Sequence, residues 1–260
     1  MGIFNKSKKK NESAVLPSFI LLNDNIFDAV LFIKDFQEDW GIRLNSSDYS
    51  DKPSDNVPTL VTQVDDMTIA LSLMPVPVPN GEAVTNAKTN MFWPEAQTVA
   101  EGHKAHVLIA VLGKSILETG TLQAKLCASC LRQPNAIAIN TAGTVFKPDF
   151  YIGAAKAYIE NGSFPIENHV FFGLYSSDGK TFSGYTYGLG NLGKMDIEIL
   201  NSERDANEIL DCMQNISSYI IESDVTLKHG ETIGFTAEQK LSIVESKAVA
   251  IDGMTLKIQF

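Results

Sequence analysis

An α+β fold, with mixed and antiparallel sheets covered by helices, is predicted by three observations. Strand-like and helix-like stretches alternate in the first half of the chain. Paired short strands dominate the second half. The most strand-like run, His106 followed by Val107, Leu108, Ile109, Ala110, Val111 and Leu112, is apolar without alternation, as expected of a strand covered on both faces. No repeat is visible by residue identity. Each half nonetheless offers strand, helix and hairpin in the combination used by ferredoxin-like sandwiches, so two such halves are an expectation.

The elements follow in order. Residues 1–17 carry Lys6, Lys8, Lys9 and Lys10 and read as a disordered, solvated basic tail. Residues 18–23 form a short apolar strand, and Asn23 or Asp24 offers the cap of a helix. That helix shows Ile26, Ala29, Ile33, Phe36 and Trp40 on one face and stops at Gly41. Residues 45–58 are polar and proline-punctuated, a loop. Strands at 59–64 and 68–73 flank Asp65 and Asp66 as a hairpin. Pro75, Pro77 and Pro79 lack ladder donors and make an extended edge segment or a rigid connector. A helix follows with Ala96, Val99 and Ala100, then the strand from His106.

Gly113 ends that strand, and a helix places Leu117, Leu122, Leu126, Cys130 and Leu131 inward. A buried strand spans 136–140 and a helix 150–159. Strands at 170–175 and 181–187 flank Asp178 and Gly179, an Asp-Gly hairpin turn. Residues 195–200 alternate as a one-sided strand. Ser202 and Asp205 resemble a capping box, with Asp in the place of Glu. Ile209, Met213, Ile216 and Ile220 line a helix, and strands at 226–235, 241–249 and 254–260 close the chain. The expected organisation is a tail at 1–17, an N-terminal α/β region at 18–187 and a C-terminal α+β domain at 188–260.

The charge balance limits the partners. Twenty-one Lys and Arg against 31 Asp and Glu give a net charge of −10, which argues against nucleic acid, because phosphate binding needs a basic face. Three cysteines are too few for a secreted disulfide framework. The lysine-rich start lacks the apolar stretch of a signal peptide, and Lys6 stands where myristoylation wants Ser or Thr. No run of about 18 apolar residues exists to span a membrane. A cytoplasmic protein is expected.

Several segments together resemble a known family. They are Gly193, Lys194, Met195, Asp196, Ile197, Glu198 and Ile199, the helix at 209–221, the run Gly230, Glu231, Thr232, Ile233, Gly234 and Phe235, and the closing strand at 255–258. Residues 193–260 are similar to the C-terminal domain of the domain-of-unknown-function 4261 family. Trp93, Pro94, Glu95 and Ala96, the stretch from His103 to Val107, and that from Leu131 to Ala136 resemble longer bacterial carriers of this domain. The resemblance implies a bacterial, cytoplasmic protein without established catalytic residues. Relatives look like small acidic proteins encoded near polymorphic toxin systems, where immunity proteins occur. Relatives often continue the Asn-Ala element into an aromatic-rich strand end. Asn140, Thr141, Ala142 and Gly143 stand there instead, so a pocket at that place is expected to be smaller and more polar.

The motifs that carry chemistry have plain structural readings beside them. His103 and His106 with Cys127 and Cys130 have legal zinc spacing and are weak metal candidates. The cysteines, however, fall inside a helical apolar pattern, where small thiols pack as hydrophobes. The run Gly188, Leu189, Gly190, Asn191, Leu192 and Gly193 has the letters of a dinucleotide loop but precedes a strand where that site needs a helix. Asp196 and Glu198 share one face of their strand, a solvated face by default and a paired-carboxylate site otherwise. Glu231 and Thr232 sit on a tight turn near His229. Phe92 and Trp93 read as an exposed aromatic anchor, or Trp93 packs into the core at a helix start.

Taken together, these readings lead to a non-enzymatic protein-binding module. Phe92, Trp93, Asp196, Glu198 and Glu231 are its candidate contact residues. An immunity-type protein that occludes a basic toxin is the concrete form, since complementary charge steers encounter. No catalytic residue, resident metal or cofactor is expected, and the sequence leaves the oligomeric state open. The alternative is an enzyme of unknown reaction with a cleft near His106, Glu95 and the 188–193 loop.

Overall fold

The computed structural model describes residues 13–14, 16–44, 49–50, 59–236 and 238–260. The expected basic tail lies outside the described residues except at 13, 14, 16 and 17. The expected 45–58 loop lies outside them except at 49 and 50. Among the described residues, six helices accompany two sheets. The fold class is therefore α+β.

The first sheet takes strands β1 (Ser13–Ala14), β2 (Ser18–Leu22), β3 (Tyr49–Ser50), β4 (Thr59–Val64), β5 (Met67–Met74), β6 (Ala105–Gly113), β7 (Ala136–Thr141) and β8 (Thr144–Phe146). Its order is β3-β4-β5-β6-β2-β7-β8, with β1 also on β6. Every pairing is antiparallel. Helices α1 (Ala29–Trp40) and α4 (Ile116–Cys130) cover one face. Their Phe32, Phe36, Leu122 and Leu126 pack against Ile20, Ile69, Val107 and Ile109. Strands β5, β6, β2 and β7 with α1 and α4 reproduce the ferredoxin-like order, with β4 added outside β5. Helices α2 (Glu82–Ala87) and α3 (Ala96–Glu101) cover the other face through Ala83, Ala87, Ala96 and Ala100, with Trp93 of the loop between them. This two-sided cover explains why β6 reads as continuously apolar.

Some boundaries differ from expectation for identifiable reasons. Helix α1 begins at Ala29, because Asp28 rather than Asn23 or Asp24 accepts the capping bond, from Leu31 N at 2.9 Å. Ile26 consequently lies outside the helix, exposed. The left-handed turn of Ala142 and Gly143 (φ 51° and 68°) sends β7 back as β8, a strand that three residues of sequence do not announce. Helix α5 (Pro148–Glu160) follows and packs on α4 through Ala155 against Ala124 and Ala128.

The second sheet takes β9 (Phe171–Tyr175), β10 (Phe182–Tyr187), β11 (Ile197–Ser202), β12 (Thr232–Ile233), β13 (Leu241–Lys247) and β14 (Met254–Ile258). Its order is β12-β13-β14-β11-β10-β9, with β14 parallel to β11 and the other pairs antiparallel. Helix α6 (Ala206–Glu222) covers it through Ile209, Met213, Ile216 and Ile220. The expected second ferredoxin-like half is thus corrected: a three-strand meander, one helix and a hairpin replace the split arrangement. The expected boundary at 187/188 falls inside this sheet, because β9 and β10 pair with β11 rather than with the first sheet.

The cap of α6 is also corrected. Asp205 is the N-cap, accepting from Asn207 N and Glu208 N, and Glu208 returns the bond to Asp205 N, a full capping box. Asp205→Ala is expected to lower the unfolding free energy by about 1 kcal/mol, read as a lower urea midpoint at unchanged slope.

Candidate functional site

Two clefts flank the junction of the sheets. The first is aromatic. The loop between α2 and α3 supplies Asn90, Phe92 and Trp93, and the end of β8 supplies Phe146. Lys147 and Phe150 come from the start of α5, and Leu210 from α6. Glu167, Val170, Phe171 and Phe172 come from the approach to β9 and its first residues. The volume is about 330 Å³.

Hydrogen bonds and ring contacts fix these walls. Asn90 Nδ2 donates to Val145 O at 2.8 Å, and its Oδ1 accepts from Phe92 N at 3.0 Å, which pins the loop to β8. Phe146 and Phe150 stack with centroids 5.4 Å apart and planes 19° apart. Phe171 meets Phe146 at 6.4 Å and Phe92 at 6.5 Å. Phe92 is 57% exposed and Phe150 47%, so the lips of the cleft are apolar surface in contact with water. Trp93 takes the core reading: it is buried under α2 and α3 with Val145, and Lys147 Nζ lies 5.4 Å from its ring centroid. Gln214 donates to Glu167, and burial raises the pKa of that carboxyl.

The second cleft is polar, about 410 Å³, between α2, the β7–β8 turn and the 188–193 loop. Asn86 Nδ2 donates to Asn140 Oδ1 at 2.9 Å, and Asn140 Nδ2 donates to Glu82 Oε1 at 3.1 Å. Asp196 Oδ1 accepts from Thr186 Oγ1 at 2.8 Å and from Leu189 N at 3.1 Å, which ties the glycine loop to β11. Burial raises the pKa of Asp196. The loop forms a four-residue 3-10 turn, Leu189–Leu192, bounded by Gly188 at φ 120° and Gly193 at φ 75°. No α-helix opens there, so the helix terminus of a dinucleotide site is missing at this loop. The polar side chains of Asn140 and Thr141 line this cleft.

The solvated-face reading of Asp196 and Glu198 is corrected. Glu198 is fully buried: the β13–β14 turn folds over it. Its carboxylate accepts from Val249 N at 3.0 Å, Ala250 N at 2.7 Å and Thr255 Oγ1 at 2.9 Å, and pairs with Lys257 Nζ. Glu198 therefore holds the sheet together and cannot contact a partner. Glu231 is exposed but engaged locally, accepting from Lys228 N at 2.9 Å.

The histidines and cysteines do not converge. His103 Nε2 accepts from Val78 N at 2.8 Å, and His106 Nδ1 bonds Val76 O at 2.8 Å. Both thereby fasten the proline connector. Alternation along β6 puts Val107 and Ile109 in the core with Cys127 and Cys130, and His106 on the opposite face beside Phe19. The sheet separates the two pairs. Burial pushes the Cys127 thiol up to about 12 and Cys130 well above its usual value. Neither cleft is lined by His, Cys or Ser, and neither His106 nor Glu95 lines the cleft that the glycine loop borders.

The part of the chain that ties down the glycine loop and Glu198 has relatives. Residues 185–259 match the family model described as Domain of unknown function (DUF4261). No curated protein and no solved structure matches the chain. The DUF4261 segment begins within β10 and contains Asp196, Glu198, α6 and the β13–β14 hairpin. Its α6 contributes Leu210 to the aromatic cleft; the other walls lie upstream of the match. Among the described residues no helix is long and apolar enough to cross a membrane.

Sequence reasoning reached Phe92 and Trp93 and missed Phe146, Phe150, Phe171, Phe172 and Leu210. A signal exists in the composition. Five of the 14 phenylalanines, at 146, 150, 164, 171 and 172, fall within one short stretch.

Proposed function

We propose that the chain is a protein-binding module whose aromatic cleft receives an apolar anchor of a partner protein. One observation carries this reading: Phe92 and Phe150, both about half exposed, stand on the lips of a single aromatic-walled cleft. Clusters of aromatic side chains around a pocket are the usual energetic centre of an interface. The net charge of −10 favours a basic partner by steering encounter and rejecting acidic competitors. An immunity-type role in the cytoplasm, occluding a basic toxin, is the concrete form. The histidines, thiols and Glu198 are each spent on internal bonds or burial, which leaves the cleft without a nucleophile and base in contact.

Co-expression with the product of the neighbouring gene, followed by co-purification at low and high salt, tests the proposal. A complex is expected that weakens at high salt. Replacing Phe92 and Phe150 together by Ala is expected to cost about 2 kcal/mol or more, roughly thirtyfold in Kd, with the variant still folded by circular dichroism. Absence of a complex, or indifference to both replacements, would overturn the reading.

A further inference from the structure

The aromatic cleft has an unusual wall. Val170, Phe171 and Phe172 are consecutive, and all three line it. Successive side chains of a strand point to opposite faces. Phe171 belongs to the core of the first sheet and Phe172 to that of the second. Neighbours with opposed side chains can line one cavity together only where that cavity abuts the edge of the strand. Among the described residues β9 is indeed the terminal strand, paired on one side with β10 and bare of a strand on the other.

The open edge carries backbone groups without partners. Leu174 N points away from β10, because it donates to Met91 Sδ at 3.3 Å. In an antiparallel strand the N–H and C=O of one residue point the same way, and direction alternates along the chain. The N–H and C=O of Phe172 therefore also face outward, at the cleft. Among the described residues neither has a backbone or side-chain partner. Phe172 as a whole residue is only 6% exposed, and the space these two groups face is the cleft. Backbone groups on the free edge of a strand are a ready template for pairing with another extended segment. Leu174 has only a thioether, a weak acceptor, supplied by a half-exposed Met91.

We infer that the partner presents an extended apolar segment, which joins the second sheet beside β9 and places one large side chain in the cleft between Phe92 and Phe150. This rests on the protein-binding reading above and specifies its mode. The segment's backbone satisfies Phe172 and replaces the Met91 sulfur at Leu174. About 330 Å³ is near the lower limit of ligand pockets, room for a large side chain and the backbone beside it rather than for a folded surface. Main-chain bonds then give affinity and the cleft gives selectivity, as in strand addition generally. The charge of −10 favours basic residues flanking the apolar ones.

The full chain is titrated with a fluorescein-labelled KTVFVTK peptide and with two N-methylated forms of it. One form carries methyl groups on the amides of the odd positions, the other on those of the even positions. Only one of the two sets faces β9 in a paired strand. Saturable binding of the parent is expected, weakened about tenfold or more by one set and changed by less than about twofold by the other. Hydrogen exchange at the Phe172 amide is expected to slow when the parent binds, and Phe150→Ala is expected to weaken the parent. Equal binding by all three peptides would overturn strand addition and leave side-chain capture by the cleft standing. Equal loss in both methylated forms, or no binding by the parent, would overturn it too. In each case co-purification with the neighbouring product decides the protein-binding reading separately. Sedimentation of the chain alone is the last arm: self-association that the parent peptide reverses would assign the edge to a second copy and overturn the inference.

Discussion

Lys257→Met is expected to lower the unfolding free energy by about 3 kcal/mol, the largest effect of any single replacement considered. The reason lies in Glu198. Its carboxylate is fully buried and is held by two backbone amides, the Thr255 hydroxyl and Lys257 Nζ. These bonds outweigh the burial, which alone would raise its pKa, and hold the carboxyl below its usual value. Removing the lysine leaves a buried anion with hydrogen bonds but no counter-charge. Taking both charges away is a different experiment. Glu198→Gln with Lys257→Met is expected to cost less than the sum of the two single changes, because no lone charge remains buried. Urea unfolding of the four proteins measures the coupling. Additive losses would mean that the Lys257 ammonium and the Glu198 carboxylate do not stabilise each other. Acid gives the same site a second signature. A depressed carboxyl contributes stability that is present above its unfolded pKa and fades as pH falls through the folded one, below the ordinary value of 4.5.

Local chemistry made much of the fold legible, while residues that meet only in three dimensions stayed hidden. The Asp178-Gly179 turn foretells β9 and β10 because Asp178 Oδ1 accepts from Lys180 N and Thr181 N and Gly179 takes φ 69°, all within four residues. Gly41 ends α1 for an equally local reason, a left-handed C-cap bonding Gln37 O. Glu198 was illegible because its neighbours in sequence, Ile197 and Ile199, give the same alternation whether the polar face meets water or a folded-back turn. The residues that bury it stand about 50 positions away. Trp93 had two readings for the same reason: its cover comes from α2, α3 and Val145. The cleft fared as the long-range contacts did. Phe92 was visible as an apolar residue in a proline-rich loop, but its role as a lip depends on Phe150 of α5 and on the edge of β9, and no spacing rule links those segments.

The junction between the sheets has its own acid sensitivity, and it centres on His169. This residue leads into β9, yet its Nε2 bonds Gly120 O of α4 at 2.9 Å, and its ring stacks on Phe164 with centroids 5.3 Å apart. Burial lowers its pKa from about 6.5 to about 4, since no anion compensates the charged form. Between these values the unfolded chain binds a proton that the folded chain refuses. Stability therefore falls as pH drops through this window, by about 3 kcal/mol in total. His106, also lowered by burial, acts in the same direction. Glu167 and Asp196 act in the opposite one, because burial raises their pKa and folding then favours their protonated forms. The net curve mixes these signs, so the decisive measurement is a difference. His169→Gln keeps a donor for Gly120 O and cannot titrate. Plotted against pH, the stability of the parent minus that of this variant is expected to be flat above about 6.5 and to decline steadily toward about 4. A difference that stays level across that interval would show that the His169 ring is hydrated and that its stacking on Phe164 does not exclude water. Because the strand it introduces forms the wall of the aromatic cleft, the same acid step is expected to speed hydrogen exchange at β9 before it does so in β6, which has neighbours on both sides.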